Sequence, residues 1–106
     1  MFKQKIIDAI HNQQILRISF RREGDGDWVT RNVAPYDVYP RQNKQSGFME
    51  DILFGYAKRD FEHEAHVVSI YLNNMQTVSE LAELFDGSEI RRLLGVKKAP
   101  YISRNW

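Results

Sequence analysis

The sequence has no cysteine, which excludes disulfides, thiolate zinc sites and cysteine nucleophiles together. It has no apolar run approaching the about 20 residues needed to span a bilayer. The opening Met1-Phe2-Lys3-Gln4-Lys5-Ile6-Ile7-Asp8 meets charge too soon to form a signal-peptide core. A cytoplasmic location away from membranes is therefore expected. An excess of one charge is also missing: 15 Lys and Arg stand against 14 Asp and Glu, which removes the simplest argument for nucleic acid, a basic domain. The neutral total hides opposed segments. Residues 88–106 carry Arg91, Arg92, Lys97, Lys98 and Arg104 against Glu89, whereas residues 49–64 are mostly acidic.

What remains is ordinary globular composition, 42% hydrophobic and 27% charged, which argues against disorder. A chain of 106 residues fits one domain and buries about two-thirds of its unfolded surface. Phe2, Ile6, Ala9 and Ile10 form one apolar stripe at helical spacing, with Asn12 as a plausible stop. The period then changes. Leu16, Ile18 and Phe20 alternate with Arg17, Ser19 and Arg21, the pattern of a half-buried strand. Gly24 and Gly26 supply a tight connection. Val29, Arg31 and Val33 share the next parity until Pro35 interrupts the ladder, with Tyr36 to Tyr39 extending the strand beyond that bend. A polar loop follows over 40–47. Ile52 to Ala57 is apolar on both parities, as in a strand covered on both sides. Lys58 to Glu64 reads as a charged hairpin region, and the β-branched and aromatic stretch Val67 to Leu72 as a further strand. Four strands joined by turns suggest a small antiparallel sheet or barrel.

The last third is read from weaker signals. Thr77 to Glu80 has capping-box spacing, and Val78, Leu81, Ala82 and Phe85 recur at helical intervals, so local evidence predicts a helix from about Val78. Ser88 is a candidate cap for a short helix carrying Ile90, Leu93 and Leu94, with Gly95 ending it. The tail from Lys97 either docks on the sheet or stays loose. Trp106 favours an anchor, on this domain or on a neighbouring copy.

Taken in order, Ile6 to Ile10, Ile15 to Phe20, Arg31 to Pro35, Leu53 to Tyr56, Ile70 to Leu72, then Met75, Val78, Leu81 and Phe85 resemble the WYL domain, a bacterial family usually found in transcription regulators behind a helix-turn-helix. The resemblance covers about residues 3 to 86. The Trp-Tyr-Leu tripeptide of the family falls on Asp51-Ile52-Leu53, its Asp-Arg pair on Asn73-Asn74, and the aromatic ending the first strand is Phe20. The resemblance implies an α+β fold: a small SH3- or Sm-like antiparallel β-barrel with an N-terminal helix, here with a short C-terminal helical segment. It also implies a strand over much of Met75 to Phe85, against the local helix signals. The function it implies is sensing of an anionic ligand, a nucleotide or single-stranded nucleic acid, in partnership with a helix-turn-helix regulator.

Arg31 is the most informative side chain, because strand parity puts a guanidinium on the core side. It is either a rim arginine whose stem snorkels to water, or an anion-binding group suited to phosphate or carboxylate. Arg17 and Arg21 share the outward parity of the first strand, a basic stripe able to track phosphates. Tyr36, Tyr39 and Phe48 offer stacking surfaces beside it. The candidate ligand-binding set is Arg31, Arg17, Arg21, Tyr36 and Tyr56. Trp28, Tyr71 and Tyr101 read as core or interface aromatics.

His63 and His66 are one residue short of the spacing that puts two imidazoles on one helix face, and on a strand they diverge. Glu50 and Asp51 diverge likewise, and no nucleophile–base set is visible. Neither an enzyme, a metal nor a cofactor is expected. The alternative to ligand binding is a protein-interaction module, a homodimer or a regulator's docking partner.

Overall fold

The structure, a computed structural model, describes residues 2–59, 64–95 and 100–106. The chain runs α1 (Lys3–Asn12), β1 (Gln14–Arg21), β2 (Trp28–Gln42), β3 (Met49–Ala57), β4 (His66–Tyr71), a 3-10 turn (Leu72–Asn74), β5 (Met75–Leu84) and α2 (Gly87–Leu94). The strands form one antiparallel sheet in the order β4-β3-β2-β1-β5. β4 and β5 are its two edges, so the sheet is not closed into the barrel that the family resemblance implies. The expected α+β class, with an N-terminal helix and a short C-terminal one, is present. Of the charged hairpin region expected over Lys58 to Glu64, residues 60–63 lie outside the described residues.

α1 buries Ile6, Ala9 and Ile10 against one face of the sheet, where Leu16, Ile18, Val33, Val38 and Leu53 complete the larger core. The helix ends at Gln13, which adopts the left-handed conformation (φ 52°). That conformation costs a non-glycine residue about 1–2 kcal/mol. Gln13 gains partners in return: its carbonyl accepts the Phe85 N–H (2.8 Å) and its side-chain Oε1 the Gly87 N–H (2.7 Å). One residue thus ties the end of α1 to the corner between β5 and α2.

β2 continues past Pro35 because the ladder absorbs the proline as a bulge. Pro35 faces Gly55 and Asp37 faces Phe54, leaving Tyr36 as the extra residue. The bulge inverts the parity, so Val33 before it and Val38 after it both enter the α1-side core, each fully buried. The same inversion turns Asp37 and Tyr39 to the opposite face, where Tyr39 stacks on Phe54 (5.0 Å between ring centroids, 14° between planes).

The helix predicted from Val78 is instead the C-terminal part of β5. Its register against β1 shifts twice, between Ser19 and Phe20 and between Gln14 and Leu16. The first shift puts both Met75 and Val78 into the core. Extra residues in the strand thus create the three-residue spacing that mimics a helix. The cap of α2 also differs from expectation: Asp86, rather than Ser88, is the N-cap, and its side chain accepts the Ser88 N–H. Gly95 closes α2 in the left-handed conformation (φ 58°), as the sequence suggests.

α2 covers the face opposite α1, where Ile15, Ala34 and Ile90 form a second, smaller core. The C-terminal segment 100–106 is docked. Trp106 belongs to both cores, meets Phe85 edge to face (5.3 Å) and donates its Nε1–H to the Ile10 carbonyl (2.9 Å). The His11 ring donates to the Ser103 carbonyl (2.8 Å). Trp106 is therefore anchored on its own chain.

Candidate nucleic-acid face

Register decides which predicted residues can act together. On β1, Arg17, Ser19 and Arg21 point away from α1. Across the ladder, Arg17 lies opposite Asn32, Ser19 opposite Thr30 and Arg21 opposite Trp28. On the other flank, Arg17 lies opposite Ser79 and Ser19 opposite Thr77. Directly opposed residues share a face, so these side chains form a continuous three-strand surface without a carboxylate. Arg17 Nε donates to Asn32 Oδ1 (3.2 Å), and the Ser19 and Thr30 hydroxyls share a hydrogen bond (2.9 Å). Arg17 and Arg21 are exposed and stand about 13 Å apart along the strand.

Two acidic residues of the adjoining hairpin, Asp25 and Asp27, are occupied. Arg22 pairs with Asp25 and, at 3.8 Å, with Asp27. The Arg22 hydrogen bond, followed by the Asp27 N–H, holds the Asp25 carboxyl below its usual range. At the opposite end of the sheet, Lys58 pairs with Glu83. Neither Arg17 nor Arg21 has an ion-pair partner among the described residues.

Arg31 does not join this surface. It lies opposite Ile18, on the α1 side, half-buried, and its Nη1 donates to the Thr30 carbonyl (2.9 Å). The core-side parity read from the sequence is what the register gives, and the sheet separates Arg31 from Arg17 and Arg21. Tyr36 and Tyr56 are on the outward side but pack against the second core. Burial, followed by the nearby Asp37, pushes the Tyr36 phenol above its usual range. Tyr56 lines a groove of about 330 Å³ between the sheet and α2, with Ile15, Ala34, Lys58 and Leu93.

The residue overlooked from sequence is Trp28. Read as a core or interface aromatic, it is 59% exposed and directly opposes Arg21. The signal was its parity with Thr30 and Asn32, both polar. Thr77 and Ser79 were overlooked because their segment was read as a helix. His63 lies outside the described residues, and among those described no cluster of His, Asp and Glu could hold a metal ion. No described helix is long and apolar enough to cross a membrane. No family model, curated protein or solved structure matches the chain.

Proposed function

We propose that the protein is a non-enzymatic binding module that holds single-stranded nucleic acid across the β2-β1-β5 face. The observation that carries this reading is the make-up of that face: guanidiniums at Arg17 and Arg21, donors at Ser19, Thr30, Asn32, Thr77 and Ser79, and an exposed indole at Trp28. Phosphate oxygens accept from such donors, and a base stacks on an aromatic surface whatever its identity. The resemblance to WYL domains supports the same ligand class, a regulatory role beside a helix-turn-helix protein, and a sheet curled in the SH3- or Sm-like manner.

Fluorescence anisotropy with labelled single-stranded oligonucleotides, titrated at several salt concentrations, tests the proposal. Binding weakens with salt, and Arg17→Gln or Arg21→Gln each reduces the logarithmic salt slope by about 0.7, the value for one phosphate contact on a single strand. Absence of binding at low salt would overturn the reading.

A second reading has one observation behind it. Leu84 and Leu93 line the α2 groove and are 64% and 48% exposed, which suits a protein partner or a second copy of the chain. Light scattering behind size exclusion separates the two: a strict monomer that binds oligonucleotide excludes the homodimer.

A further inference from the structure

Arg21 and Glu23 border the same two cavities, of about 150 and 180 Å³, at the end of the sheet where β1 runs into its hairpin. Both residues are exposed. Neither has an ion-pair partner among the described residues, and they do not pair with each other. Arg22 between them also borders both cavities, but its charge is engaged by Asp25 and Asp27. An unpaired guanidinium and an unpaired carboxylate thus border one solvent-open space.

The remaining polar lining comes from elements remote in the chain. Asn74, in the 3-10 turn, borders both cavities; Gln45, from the loop after β2, borders the larger, and Ser69 of β4 the smaller. The side chains of Asn74 and Gln45 make no hydrogen bond to any described residue. The space continues the β2-β1-β5 face, because Arg21 belongs to both and Trp28 opposes it across the ladder.

This lining suits one part of a nucleic acid better than another. A phosphate only accepts hydrogen bonds, so Arg21 attracts it and Glu23 repels it. An ionised carboxylate only accepts, through two oxygens side by side, and it needs a ligand with two neighbouring donors. Guanine is the common base that has them, N1–H and the 2-amino group on its Watson–Crick edge, and that edge is open to a protein when the base is unpaired. Its O6 is an acceptor for an amide N–H of Asn74 or Gln45. A guanine nucleotide therefore brings a phosphate for Arg21 and paired donors for Glu23.

We propose that this space is a base-reading pocket, in which Glu23 accepts from the N1–H and 2-amino group of an unpaired guanine whose phosphate is held by Arg21. The inference rests on the reading of the β2-β1-β5 face as a single-strand binder and adds to it a sequence preference at one position.

The test is fluorescence anisotropy of the full chain at fixed low salt. The probes are labelled oligothymidine and strands in which one thymine is replaced by guanine, adenine, cytosine or inosine. Guanine at one position binds about ten-fold tighter than adenine there, the discrimination of one bidentate contact, and inosine, which lacks the 2-amino group, gains less. Glu23→Gln abolishes the preference, yet it binds oligothymidine at least as tightly as wild type does, because a charge that repels phosphates has gone. Glu23 is exposed in the hairpin, so this variant folds. Equal binding of all the substituted strands overturns the pocket alone, as does a guanine preference that survives in Glu23→Gln. Failure of every strand to bind overturns the face and the pocket together.

Discussion

Asp37 and Ile102 are 65 positions apart in the chain, and the Asp37 carboxylate accepts the Ile102 N–H at 2.9 Å. Its other oxygen accepts the Tyr101 N–H at 3.0 Å. Asp37 is 9% exposed, and its carboxylate faces the tail only because the bulge after Pro35 inverts the strand. Asp37→Ala therefore removes both anchors at once. Hydrogen bonds to charged groups contribute about 1.5–3 kcal/mol, so urea unfolding should show a loss of that order. Limited proteolysis should show earlier cleavage near residue 100. A variant with wild-type stability and a protected tail would contradict this account.

Gly87 and Trp106 give a prediction whose sign reverses with background. Alanine at position 87 meets the indole at 2.3–2.5 Å, an overpacking that costs about 1–3 kcal/mol. Against this stands a helix-propensity gain smaller than the about 1 kcal/mol of a helix interior, because Gly87 is the first residue of α2. The clash wins, and Gly87→Ala destabilises. In a Trp106→Ala background the clash is gone and the same change becomes neutral or stabilising. A double-mutant cycle measures the coupling, and additive effects would refute it.

The cap of α2 is acid-sensitive. The Ser88 hydroxyl, with the Ser88 N–H, holds the Asp86 carboxyl below the usual aspartate range. A depressed folded-state pKa contributes stability that is complete above the unfolded value. It is lost as pH falls through the folded value, hence below about pH 4. Wild-type α2 amide signals followed by NMR should shift in that window. Asp86→Asn keeps a good cap without the titration, so its profile should be flat. An identical acid transition in both proteins would remove Asp86 as the cause.

On the nucleic-acid face, Trp28→Ala removes an exposed stacking surface. Stacking is worth about 1–3 kcal/mol per base, so oligonucleotide affinity should fall five-fold or more by about that free energy, with the salt slope unchanged. Arg17→Gln should instead lower the slope. Equal effects from both changes would argue against separate stacking and phosphate roles.

Local periodicity was enough where strands ran without interruption. α1 and the Leu16–Arg21 part of β1 are visible because their apolar residues keep one spacing there. Bulges defeat that method. In β5 they place Met75 and Val78 three apart on the core face, and no local rule distinguishes this from a helix turn. β2 shows the reverse: a proline that reads as an interruption is carried inside one strand. The candidate site was half legible. Arg17 and Arg21 follow from parity alone, whereas Trp28, Thr77 and Ser79 join them only through cross-strand register. That is a long-range property. The docked tail was open in the sequence for the same reason, since its partners Asp37, His11 and Ile10 are remote in the chain.

The bond from the Trp106 indole to the Ile10 carbonyl spans 96 positions, and this bears on the order in which the molecule is made. At about 5–20 residues per second, α1 and the whole sheet are synthesised seconds before residue 106 exists. Until then the Ile10 carbonyl lacks its indole partner, and the second core lacks a ring. The clasp that ties α1 to the C-terminal segment thus closes after the strands it covers have been made.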